Sequence, residues 1–199
     1  MVAKLDGFLD PPEKTLEKYK ENDTSFPARY ARAIAMYRMA DLSKALPLVE
    51  SLIASSPKNP YFVELKAQML FENGRLEEAM MSYQKAVQFL PSAPLIRTSL
   101  AHVIVEMNRP ELNDLALSNI KQALRVERLM PLAWRLAGTV YGRKKQFGLS
   151  SWSLAEYNVL IGRKRLAQVQ VERALKILKV GSPSWLRAQD IKNQIDPKK

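Results

Sequence analysis

The chain has 199 residues, 47% of them hydrophobic, which is enough for a packed core, and only seven are glycine, which suits helix. It has no cysteine, so a disulfide framework and a thiolate metal site are excluded. The net charge of +11 is uneven: residues 1–100 hold 13 Lys+Arg against 12 Asp+Glu, and residues 101–199 hold 18 against 8.

Taken in chain order, residues 1–10 read as an irregular lead-in punctuated by Gly7 and Asp10. Pro11-Pro12 opens a short amphipathic helix over 12–20, because proline is tolerated in a first turn. Glu21-Asn22-Asp23-Thr24-Ser25 is a turn cluster. From Pro27 a period sets in. Ala33, Ala67 and Ala101 stand 34 residues apart, Ala45 and Ala79 repeat the interval, and so do Pro57 and Pro91. Thirty-four residues is the length of a tetratricopeptide repeat, a helix-turn-helix unit that buries its core against its neighbours.

In that pattern the first helix of each pair, helix A, carries a small residue where it crosses helix B. Helix B carries a small residue near its start and a bulky and a small one further along, and proline closes the unit. The first repeat offers Ala33, Ala45, Val49, Leu52 and Pro57, with Leu52 departing from the small residue expected. The second offers Ala67, Ala79, Tyr83, Ala86 and Pro91, with Asn73-Gly74 between its helices. The third keeps Leu100-Ala101 in register, but Ala116, Ile120 and Ala123 fall 37 residues after their counterparts. The extra three residues lie near Asn108-Arg109-Pro110-Glu111, which predicts a longer loop. The fourth opens with Trp134, Ala137, Gly138 and Tyr141. Leu154-Ala155 and Gly162 then recur after only half a period, so a helix over 149–161 closes one pair and resembles the start of the next. Ala167, Val171 and Ala174 follow in helix-B spacing, and Gly181-Ser182-Pro183-Ser184 caps a last, mostly polar helix over 184–195.

The expected fold is all-α: a tetratricopeptide-repeat superhelix of about eleven antiparallel helices. A lead-in and short helix occupy 1–26, repeats 27–181, and a capping helix and tail 182–199.

Catalytic chemistry finds little support. His102 is the single histidine, so a His-Glu-x-x-His zinc helix, which needs two, cannot form, and neither a Ser-His-Asp nor a Cys-His system is convincingly built; rather than a lone base, it reads as a surface histidine. There is no glycine-rich phosphate loop, and no cofactor or metal site is expected. The expected role is a non-catalytic one, with a protein or peptide ligand on the concave face. The repeat frame places Tyr30, Tyr37, Arg38, Tyr61, Glu64, Gln68 and Glu72 there, followed by Thr98, His102, Glu106, Arg135, Thr139 and Arg143. Tyrosine and arginine often anchor interfaces; Tyr30 and Tyr61 read equally well as packing between repeats. Trp134 sits at a packing position, whereas Trp152 and Trp185 are less constrained. The runs Arg143-Lys144-Lys145 and Arg163-Lys164-Arg165 fall at helix ends and turns, and at a helix C-terminus such residues complement the dipole. Because the aromatic residues keep core spacing, nucleic acid is not the expected partner. No apolar stretch approaches the roughly 18–20 residues that span a membrane, and Met1-Val2-Ala3-Lys4-Leu5-Asp6 lacks the apolar core of a signal peptide.

Several segments carry a resemblance. They are Ala28-Arg29-Tyr30-Ala31-Arg32-Ala33, Asn59-Pro60-Tyr61-Phe62-Val63-Glu64-Leu65-Lys66 and Leu70-Phe71-Glu72-Asn73-Gly74-Arg75, with Ala137-Gly138, Tyr141-Gly142-Arg143-Lys144 and Ser184-Trp185-Leu186-Arg187-Ala188-Gln189-Asp190 further on. The chain resembles the repeat region of bacterial zinc metallopeptidases, periplasmic protease-chaperones with a His-Glu-x-x-His domain ahead of their repeats. No such motif exists here, so none of that family's zinc or catalytic residues can be carried over. The resemblance implies a recognition role beside an attached protease domain and a periplasmic location; without it, the expectation is a free-standing cytoplasmic scaffold.

Overall fold

Proline and a few capping side chains open the helices. A proline stands in the first turn of α2 (Pro12–Lys18), α3 (Phe26–Arg38), α5 (Pro60–Glu72), α7 (Pro94–Met107), α9 (Pro131–Arg143) and α12 (Pro183–Ile195), where its missing N–H costs nothing. Side chains of Ser25, Asp41, Asn59 and Ser182 accept from first-turn amides of α3, α4 (Leu42–Ser55), α5 and α12. With α1 (Val2–Leu9), α6 (Leu76–Phe89), α8 (Asn113–Val126), α10 (Phe147–Leu160) and α11 (Lys164–Ile177), the elements are complete. The computed structural model describes residues 2–196, and among them there are twelve α-helices, one 3-10 turn and no strand.

The chain divides into two compact units, one ending at Pro91 and the other beginning at Ser92. In the first, α3 pairs with α4 and α5 with α6, and α1 and α2 both pack on α3. In the second, α7 pairs with α8, and α9 packs on α7, α8 and α10. Helix α10 packs as extensively on α11 as on α9, which is how one helix closes a pair and opens the next. The recurring alanines do what their spacing predicts: Ala33, Ala45, Ala67, Ala79 and Ala101 are completely buried, letting helix backbones approach closely.

Each A-to-B turn ends in a left-handed residue. Ala40, Gly74 and Asn108 have φ of 60°, 73° and 53°, one period apart. Lys145 takes φ of 57° in the fourth turn, shifted by the three extra residues, which form the 3-10 turn Pro110–Leu112. Only at Gly74 and Asn108 does the side-chain type suit that conformation.

The lead-in is not irregular: Val2–Leu9 form α1, which raises the helix count among the described residues above eleven. Gly7 looks like a breaker in sequence because glycine in a helix loses the most entropy. In the fold its missing side chain admits Ile34 of α3, whose Cβ lies 2.9 Å from where a Gly7 Cβ would stand. Tertiary packing outweighs the local preference.

Candidate functional site

In the first unit, the helix-A residues form two neighbouring groups. Near the start of α3 and α5, Phe26 and Phe62 stack at 6.1 Å and Tyr30 meets Phe62 edge-on at 5.4 Å. Helix α1 completes an open hollow of 690 Å³ there, lined by Lys4, Tyr19, Tyr30, Asn59, Tyr61 and Phe62, among others. Tyr30 is half-buried and packs between α3 and α5, whereas Tyr61 is 52% exposed and stands at the mouth. Burial, and then the carboxylate of Glu64, push the Tyr30 hydroxyl up to about 12. Burial also raises Glu64 above its ordinary value, against the opposing pull of Lys4. The hollow is thus an aromatic cup with one partly desolvated acid beside it.

Toward the other end of the same helices, the Tyr37 hydroxyl donates to Glu72, and Gln68 Nε2 donates to the same carboxylate at 2.8 Å. Burial and then this bond hold the Tyr37 proton in place well above the usual phenol range. The trio crosses from α3 to α5. Arg38, expected on the open face, is committed elsewhere: its guanidinium donates to the Gly7 carbonyl at 2.8 Å and to the Asp10 carbonyl, closing the C-terminal end of α1.

In the second unit, His102 Nε2 lies 3.5 Å from Glu106 one turn on. His102 is half-buried rather than a plain surface residue. Burial lowers its pKa; Glu106 opposes that shift and Arg135 of α9 adds to it, so the three groups form one electrostatic cluster. Thr139 is exposed and its hydroxyl returns to the Arg135 carbonyl at 3.2 Å. Two residues placed on this face by the repeat frame serve other ends. Thr98 is buried and back-bonds to Pro94, because its hydroxyl can satisfy itself within the helix. Arg143 donates to the Val105 carbonyl at the end of α7, at 2.9 Å. Its neighbour Lys144 pairs with Asp114, so the basic run at 143–145 is spent on capping, pairing and turning.

A third feature escaped the repeat frame. On the helix-B side of the second unit, α8, α9 and α10 enclose a hollow of 460 Å³. Trp134, Tyr141 and Trp152 line it, with Lys121, Arg125 and Arg128 around them. The three cations recur at i, i+4 and i+7, which is legible in sequence as one helical stripe. Trp134 is 5% exposed, as its packing position predicts; its indole N–H donates to the Arg128 carbonyl at 2.9 Å.

Residues 30–94 match the family model of the tetratricopeptide repeat. The matched segment contains Tyr30, Tyr61, Glu64, Gln68 and Glu72. Solved structures of the same fold include MamA of Desulfovibrio magneticus RS-1, from its residue 41 to its end, at 12% identity and a TM-score of 0.62, over 94% of this chain and 98% of that one. PilF of Pseudomonas aeruginosa is similar at 19% identity and a TM-score of 0.58, over 92% and 87%. At these identities the likeness speaks for the fold alone. In sequence, the chain is 34% identical over 76 residues to the TPR repeat-containing thioredoxin TTL4 of Arabidopsis thaliana. That match covers 38% of this chain and spans 11% of the plant protein's length. The fold is therefore an all-helical tetratricopeptide-repeat fold, of the kind that serves protein interaction. No helix among the described residues is long and apolar enough to cross a membrane.

Proposed function

We propose that the chain is a non-catalytic protein-binding module whose first unit holds a ligand on its helix-A face. The observation that carries this is the open aromatic hollow of 690 Å³ with Tyr61 half out in solvent at its mouth. A cup of Phe26, Tyr30 and Phe62 has the size and chemistry to take a bulky apolar side chain of a peptide. Glu64 and the Tyr37–Glu72–Gln68 trio then offer acceptors for a ligand's backbone or basic side chain. In the second unit, His102, Glu106, Arg135 and Thr139 are the corresponding contact candidates.

A selection of peptides from a displayed library tests this. Among the peptides enriched on the wild-type chain, at least one class without the acidic residues of the Lys121 and Arg125 site is expected to bind at least tenfold more weakly to Tyr61→Ser and to a Phe26→Ser variant that keeps its helicity. Equal affinity for both variants would sink the helix-A reading.

The metallopeptidase resemblance supplies a second, finer reading: this module is the recognition region of a zinc-dependent peptidase. Two of the segments that carry the resemblance, around Tyr30 and around Tyr61, supply walls of the same hollow. Under that reading a His-Glu-x-x-His motif lies upstream of Met1 in the same reading frame, and the product in its source cells is clearly larger than 22.6 kDa. A stop codon just ahead of Met1 removes it and leaves the free-standing scaffold.

A further inference from the structure

We infer that the hollow between α8, α9 and α10 is a second docking site, which takes an acidic peptide segment through one bulky apolar side chain. It lies on the helix-B side of the second unit and shares no residue with the helix-A face, so the two sites stand or fall separately.

The floor comes from packing. Helix α9 packs on both α8 and α10, and Trp134 meets Trp152 edge-on at 5.2 Å. Trp152 Nε1 is buried without an acceptor, so its ring is set by this contact and not by a hydrogen bond. Leu117, Ile120 and Leu124 of α8 add an aliphatic wall. At 460 Å³ the hollow falls within the range of side-chain and small-ligand pockets, roughly 300–1,000 Å³, not that of an extended surface.

The rim sets the sign of the partner. Arg128 reaches Glu156 at 3.4 Å, and that carboxylate is shared with Arg187 at 3.6 Å. Glu127 is turned to the Leu129 amide. Lys121 and Arg125, both exposed, have no carboxylate partner among the described residues. Two uncompensated cations one helical turn apart beside an apolar cup favour Asp or Glu flanking an aromatic or aliphatic side chain. A nucleobase is disfavoured, because stacking needs an open ring face and Trp134 is nearly covered.

The test uses the whole chain and a phage-displayed library of random dodecapeptides. The expected consensus is one Phe, Leu or Trp flanked by Asp or Glu. A synthetic peptide of that consensus without Trp should shift the protein's tryptophan emission, since Trp134 and Trp152 line the hollow. Its affinity should drop at least tenfold in Lys121→Glu/Arg125→Glu and several-fold in the milder Lys121→Gln/Arg125→Gln, each checked for helicity, and should be unchanged in Lys164→Glu/Arg165→Glu, the same charge change at exposed positions outside the hollow. The inference is overturned if no acidic consensus emerges, or if both double variants bind as the wild type does. It is also overturned if phosphatidylglycerol vesicles or oligothymidylate, but no peptide, bind in a way that depends on Lys121 and Arg125.

Discussion

Arg38 and Arg143 perform the same structural task in different units: each reaches from the end of one helix A to the last carbonyls of a helix before it. Arg38 donates to Gly7 and Asp10 at the end of α1, and Arg143 donates to Val105 near the end of α7. The two arginines are three repeat periods and the three-residue insertion apart. The equivalence makes α1 the counterpart of a helix A. Orphan carbonyls at a helix end need such partners. Arg38→Met should destabilise the fold by about 1–2 kcal/mol, because the Gly7 and Asp10 carbonyls lose their side-chain donor, and Arg143→Met should cost less, because the Val105 carbonyl still accepts from the Asn108 amide at 3.1 Å. Urea unfolding of each variant against wild type checks this, and an unchanged midpoint would show that water satisfies those groups as well.

The left-handed turn residues give a prediction of opposite sign. Ala40 and Lys145 hold φ of 60° and 57° with a Cβ in the way, at a cost of about 1 kcal/mol. Glycine there removes the clash and gives back part of the gain as chain entropy. Ala40→Gly and Lys145→Gly should each stabilise by about 0.5 kcal/mol, whereas Gly74→Ala should destabilise by about 1 kcal/mol. Thermal melts read all three, and destabilisation of Ala40→Gly would contradict the turn geometry.

Helix α1 rests on one close approach. A Cβ at Gly7 would stand 2.9 Å from Ile34 Cβ and 3.1 Å from its Cγ2, and neither atom is the far end of a flexible chain. Gly7→Ala therefore pushes α1 off α3 at a cost of about 1–3 kcal/mol, despite alanine's better helix propensity. Amide exchange in α1 is expected to accelerate while that of α5 and α6 stays slow. Unchanged protection in α1 would mean that Ile34 yields.

Glu64 gives a pH dependence. Burial raises its folded pKa above the ordinary 4.5, so folding takes up protons at this site. Its contribution is most favourable below about pH 4.5 and is lost as pH rises through the folded value. At pH 7 the ionised side chain is a burden that Glu64→Gln relieves. The variant should be the more stable one at pH 7, with the gap closing as pH falls toward 4, as chemical denaturation across that window would record. A variant less stable at pH 7 would mean that the pairing with Lys4 outweighs desolvation.

The repeat register by itself determined the helices from Phe26 on, the alanines at their crossings and the insertion before α8. A 34-residue period is a statement about which faces are apolar, and each face is written locally in three- and four-residue spacing. Which of the polar residues on the open face are free was decided only by the tertiary structure. Tyr61 and Arg38 have equal standing in the repeat frame, yet one is in solvent and the other closes a helix that the sequence hid behind Gly7. The Trp134–Trp152 hollow was partly written, as the stripe Lys121, Arg125, Arg128, but nothing local shows that α8, α9 and α10 pack so as to leave a hollow between them. Hydrogen bonds and close approaches between residues some 30 positions apart depend on how finished helices meet, and local spacing carries no record of them.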